Sequence, residues 1–221
     1  MSEMRRLISW LLLALVAVVG LGFAVLGIAL APKNAPLEEA ATNTLSAPNY
    51  TQILTEKTTQ GDQSGFLVWQ APNRLGGYVQ SDNKRTYVYV LPSAKGPMEY
   101  LTKPVAPGTS TANLTFYRQP YESAALADPT QTYLRYAKRA KGVTSSGNTY
   151  TFTLTQTGST GTPETGKFVY KVNGAYVSQF NLTVANESVQ LVISAVGSSP
   201  AVSLPAGAKV VVLPATSTPS T

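Results

Sequence analysis

The sequence predicts an α+β protein in which a single N-terminal transmembrane helix precedes a mostly antiparallel β-sheet covered by one or two helices. Three observations predict this fold class. An apolar run of about 25 residues lies near the N-terminus, apolar and polar residues alternate in many segments after Tyr50, and one segment after Asp128 has helical spacing.

The apolar run extends from Leu7 to Ala31 without a charged side chain. As a helix rising about 1.5 Å per residue, it is long enough to cross a hydrocarbon core of about 30 Å. Arg5 and Arg6 precede the run, so the positive-inside rule keeps residues 1–6 in the cytoplasm and exports the rest. We therefore predict a single-pass protein of the cell membrane, held by Leu7 to Ala31, with its C-terminal domain outside the cytoplasm.

Removal of the run as a signal peptide is the alternative. Ala29, Leu30 and Ala31 have the small-x-small form of a cleavage site. The run is longer than the usual apolar region of a signal peptide, which has about 7–15 residues, and the cut would fall directly before Pro32. A retained signal anchor is therefore the preferred interpretation.

The chain contains no cysteine and no histidine. Their absence from the sequence excludes disulfides, thiolate chemistry, Ser-His-Asp triads and metal sites built on Cys or His. A carboxylate pair is the one familiar catalytic arrangement left open, and no motif joins the acidic residues. The net charge of +6 is too scattered to indicate nucleic-acid binding. We predict no enzymatic activity, no cofactor and no nucleic-acid partner.

The exported part divides by composition into three regions. Residues 32–48 are rich in Pro and small polar residues without periodicity, which predicts a flexible tether. Residues 49–214 form one β-rich domain of ordinary size. Residues 215–221 have nothing to bury and predict a disordered tail.

Strand patterns occupy most of the β-rich domain. Gly65 to Gln70, Arg74 to Gln80 and Arg85 to Leu91 predict a β-meander, and four further strands are predicted at Thr149–Thr157, Gly166–Val172, Ala175–Val184 and Ser188–Ala195. Asn173-Gly174 favours a tight turn, so the strands on either side of it are expected to pair as a hairpin. The region from Lys103 to Leu126 predicts a loop with at most a short element.

A helix is predicted from Asp128 to about Lys141, with Pro129 at its first position and Gly142 as its stop. Its apolar residues cluster on one side, which leaves a basic outer face formed by Arg135, Lys138, Arg139 and Lys141. This face is a candidate for contact with an anionic membrane surface, and an ordinary solvated face is the alternative.

One face of the predicted sheet is apolar and rich in aromatic residues, and the other is polar. One helix of about 13 residues is little to cover seven or more strands. Either loops complete the core, or part of the apolar face lines a cavity.

Several segments resemble a known family. The segment Trp69 to Leu75, the strand Thr86 to Val90, the helix from Asp128 to Ala140 and the segment Ser194 to Pro205 are similar, in this order, to lipoprotein-carrier-like proteins of the LolA and LppX/LprG type, especially actinobacterial ones. The resemblance implies a curved sheet, an unclosed half-barrel, whose concave apolar face binds acyl chains. It departs from the family in one respect, because those proteins are soluble after cleavage or carry a lipid on a cysteine that this chain lacks.

The resemblance, together with the apolar alternation, indicates a set of cavity candidates. They are Phe66, Val68, Tyr87, Tyr89, Phe152, Phe168, Tyr170, Phe180 and Leu182. The predicted function is a membrane-tethered extracytoplasmic domain that binds the acyl chains of a lipid or an acylated lipoprotein without catalysis. The alternative is a structural or protein-interaction ectodomain of the cell envelope with a filled core. If the anchor is removed, the same domain becomes a free carrier.

Overall fold

The computed structural model describes residues 35–59, 61–121, 129–157 and 163–213. The predicted cytoplasmic residues 1–6, the predicted anchor Leu7 to Ala31 and the predicted tail 215–221 lie outside the described residues. Within the described ranges, no helix has both the length and the apolar character that a membrane crossing requires.

The described residues form two α-helices, α1 (Ala35–Ser46) and α2 (Pro129–Arg139), and one turn of 3-10 helix at Thr111–Asn113. The strands are β1 (Asn49–Thr58), β2 (Gly61–Gln70), β3 (Arg74–Ser81), β4 (Lys84–Leu91), β5 (Met98–Thr102), β6 (Thr115–Pro120), β7 (Thr144–Ser146), β8 (Thr149–Thr157), β9 (Pro163–Asn173), β10 (Tyr176–Val184), β11 (Glu187–Ser194) and β12 (Lys209–Val212). The predicted α+β class with mostly antiparallel strands and two helices is confirmed.

The chain divides into two compact units. Unit 1 holds α1, apart from its last residue, together with α2 and strands β7 to β10. Its strands are antiparallel neighbours in the order β10-β9-β8-β7. Phe168, Tyr170 and Phe180 are fully or almost fully buried on one side of these strands, which therefore form the core face of the unit.

Unit 2 holds β1 to β6 together with β11 and β12. Its strands have the order β12-β6-β5-β4-β3-β2-β1-β11. Neighbours are antiparallel except for β12, which runs parallel to β6 at the edge. Strand β1 lies between β2, which follows it directly in the sequence, and β11, which is far away in the sequence. Leu54, for example, is opposite both Gly65 of β2 and Leu191 of β11.

Helix α1 lies inside residues 32–48, where the composition predicts a flexible tether. Leu37, Ala40, Ala41 and Thr44 are buried at the spacing of one helix face. Asn43 Nδ2 donates a hydrogen bond to the Ala175 carbonyl oxygen (3.1 Å), and Thr44 Oγ1 accepts one from the backbone N–H of Val177 (3.0 Å). This segment is therefore part of unit 1. Its buried stripe consists mostly of small residues, which is a weaker signal of a helix in the sequence than a stripe of large apolar residues.

The predicted hairpin around Asn173-Gly174 is confirmed, with its turn shifted by one residue. Tyr176 pairs with Asn173, so Gly174 and Ala175 form the two-residue connection. Gly174 has a φ of +59°, the left-handed conformation for which glycine is favoured.

Helix α2 is close to its predicted bounds, ending at Arg139 instead of about Lys141. Gly142, the predicted stop, has a φ of +62°. The predicted first residue, Asp128, lies outside the described residues. In the region predicted as a loop from Lys103 to Leu126, β6 forms the short element, because its partners β5 and β12 supply hydrogen bonds from distant parts of the chain.

Candidate functional site

The largest buried apolar surface of unit 2 is one face of its sheet, here called the buried face. It crosses β11, β1, β2, β3, β4 and β5, which are consecutive neighbours. With strands about 4.8 Å apart, six strands make a face about 24 Å wide. Its apolar side chains, none more than 8% exposed, are Tyr50, Leu54, Leu67, Trp69, Leu75, Val88, Val90, Leu101, Val189, Leu191 and Ile193.

Polar side chains interrupt the buried face near β1. Glu56 is 3% exposed and lies opposite Gln63 on β2 and Val189 on β11. Gln52, which lies between Tyr50 and Leu54 on the same face of β1, is also buried. The Gln63 Oε1 atom is buried and, within the described part of the chain, receives no hydrogen bond. A buried amide oxygen without a donor costs free energy.

Burial of the Glu56 carboxyl, and secondly the nearby charge of Glu187, raise its pKa from 4.5 to about 7. Both causes disfavour the ionised form. Glu187 itself accepts hydrogen bonds from the backbone N–H and the hydroxyl of Thr59, at 3.3 and 3.2 Å. Glu56 is therefore partly protonated near neutral pH, and a protonated carboxyl can donate as well as accept a hydrogen bond.

The buried face thus combines a wide apolar floor with a carboxyl and two amides near β1. Apolar surroundings with a few polar groups and a perturbed pKa are typical of a binding site for an organic molecule. Across the described ranges, no three acidic side chains are grouped so that they could hold a metal ion. Chemically, this arrangement sets an apolar surface beside hydrogen-bonding groups.

Four predicted cavity residues, Phe66, Val68, Tyr87 and Tyr89, lie on the opposite face of the unit 2 sheet. Their neighbours along the strands, such as Leu67 and Val88, point to the buried face. Strands β2 and β4 are apolar on both faces, so alternation alone gave no basis for choosing a face.

On this opposite face the aromatic rings contact one another and a segment near the C-terminus. Ring centroids are 6.1 Å apart for Phe66 and Tyr78 and 5.9 Å apart for Tyr78 and Tyr87. The backbone N–H of Val202 donates to Gln70 Oε1 (3.0 Å), which fixes the C-terminal segment beside the same face. Of the four residues, Val68 and Tyr87 are buried, and Phe66 and Tyr89 are half-buried.

The other five predicted cavity residues come together in unit 1. Phe152, Phe168, Tyr170, Phe180 and Leu182 are all buried on its core face. Neighbouring rings are in contact, with centroids 4.9 Å apart for Phe152 and Phe168 and for Tyr170 and Phe180.

Helix α2 packs against this aromatic cluster. Tyr133 stacks on Phe180 with a centroid distance of 4.3 Å, and Tyr136 contacts Phe168 edge to face. The Tyr170 hydroxyl donates to the backbone carbonyl of Tyr133 (2.8 Å), and burial raises the pKa of Tyr170 well above its usual value. In unit 1 the predicted cavity residues thus pack against one another and against α2.

The predicted basic face is exposed on α2. Arg135, Lys138 and Arg139 are exposed, and Lys141, just beyond the helix, is half-buried. The residues that the sequence reasoning missed are Glu56 and Gln63. Their signal is a polar residue at a core position of an alternating strand, since Glu56 shares its face with Tyr50 and Leu54.

Comparisons with known proteins give structural neighbours. No protein-family model matches the sequence, and no curated protein does. The chain is similar to the crystal structure of LprF from Mycobacterium bovis, with 11% identity and a TM-score of 0.47, over 78% of this chain and 95% of that one. It is also similar to the lipoprotein LppX from Mycobacterium tuberculosis, with 10% identity and a TM-score of 0.38, over 76% of this chain and 97% of that one. LppX is of the type named in the resemblance drawn from the sequence.

Proposed function

We propose that this chain is a membrane-anchored extracytoplasmic domain that binds the acyl chains of a lipid or an acylated lipoprotein, without catalysis. The observation that carries the proposal is the buried face of unit 2, with its apolar floor about 24 Å wide. The width of this face is comparable to the length of an extended acyl chain. Because its apolar side chains are at most 8% exposed, such a chain would bind by displacing the groups that now cover them. The described residues of unit 2 include no α-helix of their own to pack on it.

The polar groups near β1 support an amphipathic ligand over a purely apolar one. Gln63 Oε1 lacks a donor within the described residues, and the Glu56 carboxyl is buried on the same face. A ligand whose polar end donates a hydrogen bond would satisfy Gln63 Oε1, whereas a hydrocarbon would leave that oxygen without a donor. The polar end of the ligand is therefore placed near Glu56 and Gln63, and its acyl chain along Leu54, Leu67 and Val88.

The anchor and the location belong to the same proposal. Leu7 to Ala31 would hold the domain in the cell membrane with its N-terminus in the cytoplasm. An anchored domain does not travel between distant membranes, so the proposal is local binding or handing-over at one membrane. Cleavage after Ala31 would instead release the domain as a free carrier.

A structural or protein-interaction role is the second candidate, and unit 1 favours it. The aromatic cluster of Phe152, Phe168, Tyr170 and Phe180 is packed under α2 with rings in direct contact. Such a core has no space for an acyl chain without loss of these contacts. The two candidates therefore differ in whether the buried face of unit 2 accepts a ligand.

A photoreactive fatty acid tests the proposal on the full chain reconstituted in lipid nanodiscs. Crosslinked peptides are identified by mass spectrometry after digestion. We expect crosslinks in peptides that contain β1, β2, β4 and β11, in addition to those in the anchor. Crosslinks confined to residues 7–31 would refute acyl-chain binding by the domain.

Two neighbouring residues of β1 supply matched variants. Leu54 lies on the buried face and Ile53, 46% exposed, on the opposite one. Leu54→Trp fills the floor and should abolish the crosslinks in unit 2, whereas Ile53→Trp should leave them unchanged. Because Leu54→Trp adds volume to a packed site, Leu54→Ala is made as well, and the space it opens should increase labelling. Equal labelling in all three variants would contradict the placement of the ligand.

A further inference from the structure

Helix α1 shortens the connection between the predicted anchor and the folded domain. The predicted span ends at Ala31 and α1 begins at Ala35, so residues 32–34 alone join them. Fully extended, the four Cα–Cα steps from Ala31 to Ala35 reach about 14 Å. The start of α1 must therefore lie within about 14 Å of the outer end of the span.

Helix α1 is packed in unit 1 and therefore does not lengthen that connection. Leu37 and Ala41 are fully buried, and Asn43 and Thr44 are hydrogen-bonded to the backbone at Ala175 and Val177 of unit 1. Releasing α1 as a flexible tether would expose this stripe and break both hydrogen bonds. With the predicted anchor in the membrane, unit 1 would be held close to the membrane surface.

The same unit carries an excess of positive charge. Residues 35–45 and 129–186 contain six Lys or Arg and three Asp or Glu. Three of the six cations, Arg135, Lys138 and Arg139, are exposed on α2, whose sequence PTQTYLRYAKR contains no acidic residue. The opposite side of α2 is buried at Tyr133 and Leu134, so the three cations share the outward side.

We propose that unit 1 docks on the anionic surface of the membrane that holds its anchor, through Arg135, Lys138 and Arg139. This proposal rests on the membrane anchor of the proposed function. Lys and Arg near an anionic bilayer are each attracted by about 1 kcal/mol, and the short connection keeps them at the distance where that attraction acts. The docked domain would face the same lipids that the proposed function has it bind.

A fluorescent probe at Thr132 tests the docking, since the chain has no cysteine of its own and Thr132→Cys creates a single labelling site. Thr132 lies one helical turn before Arg135 on α2. The labelled full chain is inserted into vesicles with spin-labelled headgroups, made of phosphatidylcholine alone or mixed with phosphatidylglycerol. We expect quenching to be severalfold stronger in the anionic vesicles. Raising the salt from about 0.1 M to about 1 M, which shortens the Debye length from about 10 to about 3 Å, should reduce it.

Charge-removing variants separate docking from general attraction. Arg135→Gln with Lys138→Gln and Arg139→Gln should lower quenching in anionic vesicles to the level in neutral ones. The matched control, Lys57→Gln with Lys84→Gln and Lys95→Gln, removes three exposed charges from unit 2 and should leave quenching unchanged. Quenching that ignores lipid charge, or that both triple variants lower equally, would overturn the proposal.

Flotation with neutral vesicles distinguishes failure of the anchor from failure of the docking. If the full chain floats with neutral vesicles but quenching does not depend on lipid charge, docking is refuted and the anchor stands. If the chain does not float with neutral vesicles, the anchor of the proposed function fails. In that case, flotation with anionic vesicles tests the docking. Docking is supported if the native chain floats and only the α2 triple variant does not, and it is refuted if the native chain does not float.

Discussion

Replacing Glu56 with Gln removes a titrating group from the buried face of unit 2 while keeping nearly the same shape. Burial and the charge of Glu187 raise the pKa of Glu56 from 4.5 to about 7 in the folded chain. Between these two pH values the folded state binds more protons than the unfolded state, so stability falls as pH rises through this window. Above about pH 7 the folded chain bears the full cost of an ionised buried carboxyl.

The size of that cost follows from the pKa difference. From 4.5 to about 7, at about 1.4 kcal/mol per pH unit, it amounts to about 3 kcal/mol. Gln at this position has no proton to lose. The free energy of unfolding of Glu56→Gln, relative to the native sequence, should therefore rise by about 3 kcal/mol between about pH 4 and about pH 8.

Urea unfolding at the two pH values measures this difference. Trp69 lies on the same buried face, and Trp10→Phe makes it the only tryptophan, so its fluorescence reports on unit 2. Glu39→Gln, on the exposed side of α1, is the control for loss of one negative charge. Glu187→Gln should shrink the pH-dependent loss, since it removes the second cause of the raised pKa. A stability difference for Glu56→Gln that is the same at both pH values would refute the reasoning.

Three further predictions concern the packing of each unit, and urea unfolding measures all of them. Tyr170→Phe should cost about 1–2 kcal/mol, because it removes the buried hydrogen bond to the Tyr133 carbonyl, and a neutral result would mean that this bond contributes nothing. Phe168→Ala should cost about 3–5 kcal/mol and Phe66→Ala clearly less, since Phe168 is fully buried and Phe66 half-buried; equal losses would contradict the assignment of Phe168 to a filled core. Gly77→Ala should cost more than about 2 kcal/mol, because φ is +154° and an added Cβ would collide with the Phe66 carbonyl; an unchanged unfolding midpoint would show that the backbone there adapts.

Local patterns predicted most of the secondary structure. The β9–β10 hairpin follows from Asn173-Gly174, because a residue pair that favours positive φ sets a two-residue turn whatever surrounds it. The start and length of α2 follow from Pro129 and the apolar spacing of its buried side. These elements depend on interactions between residues near in sequence.

The candidate site was less accessible to the same reasoning. Aromatic type selected Phe66 and Tyr87, yet the neighbouring Leu67 and Val88 occupy the buried face. In a strand that is apolar on both sides, the choice of face depends on which partners cover it, and these come from elsewhere in the chain. The raised pKa of Glu56 has the same origin, since both its burial and its proximity to Glu187 arise from the pairing of β1 with β11.

The sequence by itself predicted seven of the twelve described strands and one of the two described helices, excluded cysteine and histidine chemistry, and predicted an apolar anchor from Leu7 to Ala31. The tertiary structure decided that residues 35–46 form a helix packed on unit 1 and that Glu56 is buried. The physical reason is that turn and periodicity signals act over a few residues. Burial, by contrast, depends on contacts such as those of Thr44 with Val177, which lie far apart in the chain.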